Sequence, residues 1–187
     1  MLYENTLPMS ERRKYGSQTS LRDRQWLEET YLPSLSGSVL YVGVAYYTDF
    51  YHTMVKNPEL FTTVDVDIKA APFGSPYGHY VDEIEVFLDS TDKKYDHISI
   101  FGLFGQKHSV IKDEATIIRI FNKCCDHIKC GGTISFGAAV ESLSIEQIRK
   151  IIDNSKLKDT KVISSFMCKP SDYHSEVFIF WSEIHAN

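Results

Sequence analysis

The sequence predicts an α/β sandwich built on one seven-stranded, mostly parallel sheet that closes on an antiparallel hairpin. Three observations predict it. The run Val39-Leu-Tyr-Val-Gly-Val-Ala-Tyr-Tyr-Thr-Asp-Phe-Tyr51 reads as a buried strand that turns at Gly43, and Phe61-Thr-Thr-Val-Asp-Val-Asp67 reads as a second buried strand ending in acid. Strand-like and helix-like segments then alternate to a fifth strand, which requires parallel pairing through right-handed crossovers. Finally, two strand-like runs near the end are joined by a loop too short for a crossover helix, so they pair antiparallel.

The elements follow in order. Residues 19–32 read as a leading helix, with Trp26, Leu27 and Tyr31 spaced for one face and Pro33 as its stop. Strand one is expected over residues 38–44. A short helix over 48–56 should end at Asn57-Pro58, because proline disfavours helix in the residue before it. Strand two spans 60–66, the segment 70–78 is a turn-rich loop, and His79-Tyr-Val81 is a short third strand. A helical turn or two covers 83–88. Tyr95-Asp-His-Ile-Ser-Ile-Phe101 is a fourth strand rich in alternating β-branched residues. The longest helix is read over 110–129 with Gly131-Gly132 as its stop, followed by strand five over 133–138. Residues 143–155 form a helix with Ser144 as cap and Gln147 three residues on. Strands over 161–167 and 176–181 close the chain.

With 187 residues the chain is read as a single domain, 1–187, long enough to bury a core without staples. Residues 1–32 are read as an N-terminal arm and helix not needed to build the sheet. There the cluster Arg12-Arg-Lys-Tyr-Gly16 could act as a lid over the strand ends. Twenty basic against 25 acidic residues give a formal charge of −5, which disfavours nucleic acid as the main partner because duplex binding needs a basic surface. The start lacks the basic and apolar regions of a signal peptide, and no apolar run approaches a membrane span, so a cytoplasmic protein without membrane insertion is expected. Cys124, Cys125, Cys130 and Cys168 show no zinc-ligand spacing and are read as reduced thiols, with no metal site.

A dinucleotide fingerprint needs three glycines at the first turn, and this chain has one. A pyrophosphate cradle is therefore poorly supported, and a nucleoside ligand without one fits better. Five parallel β/α units closing on an antiparallel hairpin resemble the three-layer, Rossmann-like sandwich of the class I S-adenosylmethionine-dependent methyltransferases, over about residues 38–184. Val39 to Ala45 resembles the family's first motif, with Gly43 and Ala45 at two of its small positions and Tyr41 where an acid is usual. Val64-Asp-Val-Asp67 resembles the second, Val81-Asp-Glu83 the position facing the adenine amino group, and Phe101-Gly-Leu-Phe-Gly105 the motif facing the methionine part. Lys129-Cys-Gly-Gly-Thr-Ile134 resembles the turn into strand five, with Cys130 where a proline is usual.

The resemblance implies S-adenosylmethionine as cofactor, held by Gly43, Val44, Ala45 and Tyr46, by Asp65 and Val66, by Asp82 and Glu83, and by Phe101 and Gly102. Asp65 would take the ribose hydroxyls, with Asp67 as the alternate. The methionine carboxylate would sit at the helix N-terminus after Gly43. Tyr46, Tyr47, Phe101 and Phe104 could lie near the sulfonium cation. On the acceptor side His108 is the candidate base, since histidine titrates near neutral pH, and Glu141 a second contact. No signature of the amino-group, RNA-cap or cytosine enzymes stands out, so a small-molecule or glycan-like acceptor is expected. Two other classes stay open. One is a nicotinamide-dependent oxidoreductase, opposed by the missing glycines and the antiparallel ending; the other is a non-catalytic binding or scaffold domain on the same fold.

Overall fold

The computed structural model describes residues 26–44, 48–104, 111, 113–141, 143–168 and 176–185. Seven strands form one sheet: β1 (Val39–Val42), β2 (Phe61–Asp65), β3 (His79–Val81), β4 (Tyr95–Phe104), β5 (Ile128–Ala139), β6 (Lys161–Cys168) and β7 (Val177–Glu183). Their order is β3-β2-β1-β4-β5-β7-β6. β7 runs antiparallel to both β5 and β6, and the other pairs are parallel, as expected. The strand order reverses between β1 and β4, which is where an open α/β sheet forms a crevice at its carboxyl edge.

Alternation in β1 explains why the sheet is covered on both faces. Leu40 and Val42 enter one core with Ile98, Ile100 and Ile134, whereas Val39 and Tyr41 enter a second core on the opposite face. The first core is roofed by three helices: α2 (Ile84–Asp89), α3 (Glu114–Asp126) and α4 (Ile145–Asp153). α4 carries the capping box expected from Ser144 and Gln147. The second core is covered by α1, a π-helical turn (Leu27–Tyr31) running into an α-helical turn (Leu32–Ser34), and by the segment around Tyr51.

Four expectations are corrected. The leading helix does not stop before Pro33; Leu32 N–H reaches back five residues to Leu27 O, and Pro33 sits at the start of the next turn, where its missing N–H costs nothing. Nor is this segment dispensable to the sheet. Leu27, Tyr31 and Leu32 are buried, and the Tyr31 hydroxyl lies 3.0 Å from Ser99 Oγ on β4 and accepts from Ser135 Oγ on β5 at 2.8 Å. The helix expected over 48–56 is only a 3-10 turn, Tyr51–Thr53: its backbone closes through i to i−3 bonds, Thr53 N–H to Phe50 O and Met54 N–H to Tyr51 O, while Phe50, Tyr51 and Val55 are buried in the second core. Gly131 and Gly132 do not terminate α3, which closes at His127; they belong to β5, where Gly131 N–H bonds Ile184 O and Ile184 N–H bonds Gly132 O. The Arg12–Gly16 cluster lies outside the described residues.

Candidate functional site

A cavity of about 190 Å³ opens at the carboxyl ends of β1 to β4, beside the reversal of strand order. That is several times the roughly 30 Å³ share of one water, so it is more than a single hydration site. Its wall is apolar, made by Val42, Val64, Ile84, Leu103, Ile111 and Ile120; its rim carries Asp65, Asp82, Glu83, Glu85 and Thr116. Gly43 and Val66 complete it.

Each feature has a local cause. Gly43 adopts φ +89°, and a Cβ there would lie 2.6 Å from the Phe101 carbonyl oxygen. Glycine alone combines that left-handed turn with that close approach. Asp65 ends β2 half-buried; its Oδ2 accepts the Val44 N–H at 2.7 Å and its Oδ1 the Asp67 N–H at 2.7 Å. Asp82 follows β3, and its Oδ1 accepts the Glu83 N–H at 2.9 Å. Glu85 is paired with Arg119 at 3.2 Å across α2 and α3. Behind Asp65, the His79 ring lies 2.9 Å from Thr63 Oγ1; burial lowers its pKa, and the nearby Asp65 charge opposes that without reversing it.

Of the residues expected to hold a cofactor, the structure brings Gly43, Asp65, Val66, Asp82 and Glu83 to this cavity. Val44 contributes its backbone N–H to Asp65 but does not line the wall. Ala45, Tyr46, Tyr47 and His108 lie outside the described residues. Phe101 and Gly102 are displaced from the wall. The Phe101 ring turns to the opposite face and stacks 6.4 Å from Tyr41, beside Tyr31 and Trp26. Phe104, read as a neighbour of the cation, is buried in the first core against Phe121 and Phe136. Asp67 is exposed and caps the following 3-10 turn by accepting the Lys69 N–H at 2.9 Å. Glu141 is exposed on the turn after β5.

Phe101 follows ordinary alternation, since Ile98 and Ile100 face the first core, and Gly102 explains why Leu103 takes the wall instead. Its φ of +78° accompanies a register shift between Ile100 and Phe104, after which Leu103 and Phe104 both pack on the first-core side. The strict alternation expected of β4 would have placed them on opposite faces. Leu103, Ile111, Thr116, Ile120 and Glu85 were not anticipated. The apolar ones carry the same periodic pattern as core residues, and nothing local separates a cavity wall from a core. No cysteine lines this cavity among the described residues; burial raises the pKa of Cys124 and pushes Cys125 up to about 12.

No protein-family model matches the chain, and no curated protein sequence does. Solved structures do. The N-methyltransferase NodS of Bradyrhizobium japonicum WM9 is similar with a TM-score of 0.67 and 16% identity, over 88% of this chain and 96% of that one. Its complex with S-adenosyl-L-homocysteine matches over 96% and 89%, with a TM-score of 0.63 and 16% identity. A methyltransferase of Pyrococcus furiosus matches over 90% and 84% with a TM-score of 0.60 and 12% identity. A Streptococcus mutans protein described as a candidate S-adenosylmethionine-dependent methyltransferase gives a TM-score of 0.68 at 13% identity; it covers 87% of this chain, which spans 48% of that longer one. The fold is therefore that of the class I S-adenosylmethionine-dependent methyltransferases.

Proposed function

We propose that this chain is an S-adenosylmethionine-dependent methyltransferase whose acceptor is a small molecule or a glycan. The observation that carries the reading is the convergence of the Gly43 turn, Asp65 and Asp82 on one apolar cavity at the switch point of this fold. The residues fit the cofactor's chemistry. The Asp65 carboxylate has about four lone-pair positions, of which two are engaged by backbone N–H groups, leaving two for vicinal ribose hydroxyls. Asp82 offers an acceptor for the adenine amino group, and Val42, Val64, Leu103 and Ile120 offer apolar surface to the base. No lysine or arginine lines the cavity among the described residues, which suits a nucleoside without phosphate.

When bound, the cofactor supplies an electrophilic methyl group on a sulfonium. The protein's own contribution is to hold the nucleoside end fixed, exclude water with the apolar wall, and bring a nucleophile into line, which alone accounts for much of a displacement barrier. His108 is the acceptor-side base in this reading. Support for a small acceptor comes from the formal charge of −5 and the acidic rim, both unfavourable to a polyphosphate. NodS, an N-methyltransferase, matches nearly its whole length.

Titration calorimetry with S-adenosylmethionine, S-adenosylhomocysteine and NAD tests the cofactor. Micromolar binding of S-adenosylhomocysteine, roughly −8 kcal/mol, is expected, with no comparable NAD binding. Preferential NAD binding overturns the proposal. Transfer of a labelled methyl group to RNA in preference to small-molecule and oligosaccharide pools would overturn the acceptor class alone.

A further inference from the structure

The carboxylate that faces the cavity from β2 is also bonded to the backbone of a different strand's turn. Asp65 Oδ2 holds the N–H of Val44, the residue after the Gly43 turn of β1, while Oδ1 holds the N–H of Asp67 in its own turn. Both distances are 2.7 Å, in the range of charge-assisted hydrogen bonds, which are roughly twice as strong as neutral ones. One residue earlier the ladder still closes in the ordinary way, with Gly43 N–H on Val64 O at 3.0 Å. Beyond it the chain leaves the sheet: the Val44 N–H, which an unbroken β1 would turn toward β4, is accepted instead by the Asp65 side chain. The Asp65 carbonyl faces the other way, toward β3, and accepts the Asp82 N–H at 3.0 Å. Asp65 thus joins the turns of β1 and β2, and its carbonyl holds the chain as it leaves β3.

We propose that Asp65 is a positioning residue as well as a ligand contact: it latches the Gly43–Val44 turn to the end of β2 and links that turn to occupancy of the nucleoside cavity. The linkage rests on the reading of Asp65 as acceptor of the ribose hydroxyls. A diol bonded to the two remaining lone pairs immobilises the carboxylate and with it the Val44 bond. By reciprocity, a latched turn presents a carboxylate already oriented for the ligand. Among the described residues the Asp82 carboxylate makes no such link: it accepts from its own neighbour Glu83.

The experiment is amide hydrogen exchange at Val44, resolved by NMR, in wild type, Asp65→Asn and Asp82→Asn, each with and without S-adenosylhomocysteine. Asparagine keeps the shape of Asp65 but loses the charge and turns a donor toward one of the two N–H groups. Asp65→Asn is expected to speed Val44 exchange in the free protein by about tenfold or more, whereas Asp82→Asn leaves it within about twofold even though both weaken the ligand. Equal Val44 exchange in wild type and Asp65→Asn overturns the latch. The linkage is read in the wild type, so it survives a variant that fails to fold. Saturating ligand should slow Val44 exchange, and a wild type that binds the ligand without slowing Val44 overturns the coupling. If wild type does not bind S-adenosylhomocysteine while Asp65→Asn still frees Val44, the latch is supported and the cofactor reading falls instead.

Discussion

Asp65 and Asp67 share a side chain and a strand end, yet only the first faces the cavity; the second points to solvent and caps a turn. Asp65→Ala is therefore expected to weaken S-adenosylhomocysteine by about 2 kcal/mol, near thirtyfold, since hydrogen bonds to a charged acceptor are worth roughly 1.5–3 kcal/mol. Asp67→Ala should change affinity by less than about threefold on the same principle. Calorimetry on the two variants checks both, and a reversed order would move the nucleoside contact two residues along. Gly43→Ala tests the turn itself. The new methyl would meet the Phe101 carbonyl in a left-handed conformation, so a loss of about 1–3 kcal/mol in denaturant stability is expected along with loss of ligand binding. Asp65 was legible in the sequence because an acid at a strand end is a local pattern. Leu103 was missed because its side of the sheet depends on the left-handed Gly102 before it, and a glycine in a sequence does not declare the sign of its φ; Phe101 was misplaced although plain alternation from Ile98 and Ile100 sets it on the opposite face.

At the scale of elements, the amino ends of the strands are tied by Asp96, on the edge of the sheet opposite the cavity. Its Oδ2 accepts from Ser38 N–H at 2.7 Å, Ser38 Oγ at 2.8 Å and Lys129 Nζ at 2.8 Å, so β4 is joined to the residues that open β1 and β5. Burial alone would raise this carboxyl, but the bonds from Lys129 and Ser38 outweigh it and hold it at about 2. A folded-state pKa below the unfolded value of about 3.9 contributes stability in full above the unfolded pKa and loses it as pH falls through the folded one. The stability gap between wild type and Asp96→Asn should then be present at pH 7 and shrink steadily from about pH 4 toward pH 2, as measured by urea unfolding. A gap independent of pH would show that the Asp96 charge contributes nothing. In α4, Ser144→Ala removes the capping box and should cost about 1 kcal/mol, a Tm decrease of about 2–4 °C for a domain of this size. That cap was readable because Ser-x-x-Gln is contiguous. The end of α3 was not, because Gly131-Gly132 resembles a helix stop, whereas their hydrogen-bond partner Ile184 lies at the far end of the chain.

For the whole molecule, α1 belongs to the core rather than to a detachable arm. Removing residues 1–35 deletes Tyr31 from between β4 and β5, leaves Ser99 and Ser135 without their shared partner, and uncovers Val39 and Tyr41. Such a truncation is expected to lose its cooperative thermal transition, as followed by circular dichroism; retention of a wild-type Tm would return α1 to the status of an appendage. Ligand linkage supplies a second global test. At 100 times its Kd, S-adenosylhomocysteine should stabilise the fold by about 2.7 kcal/mol and raise Tm by about 5–10 °C, with NAD giving no comparable shift.

The seven strands in chain order, the three helices that roof the first core, the antiparallel close of the sheet and the acid at the end of β2 were all determined by the sequence itself. They rest on periodicity, turn residues and loop length, which act over a few neighbours. Only the tertiary structure decided that Leu103 rather than Phe101 walls the cavity, that Asp65 latches the turn of β1, and that Tyr31 seats itself on Ser99 and Ser135. Those last contacts join residues 68 and 104 positions apart, and the latch joins residues 21 apart on adjacent strands. They depend on which strands become neighbours, and that outcome comes from packing two apolar faces of one sheet rather than from any local pattern.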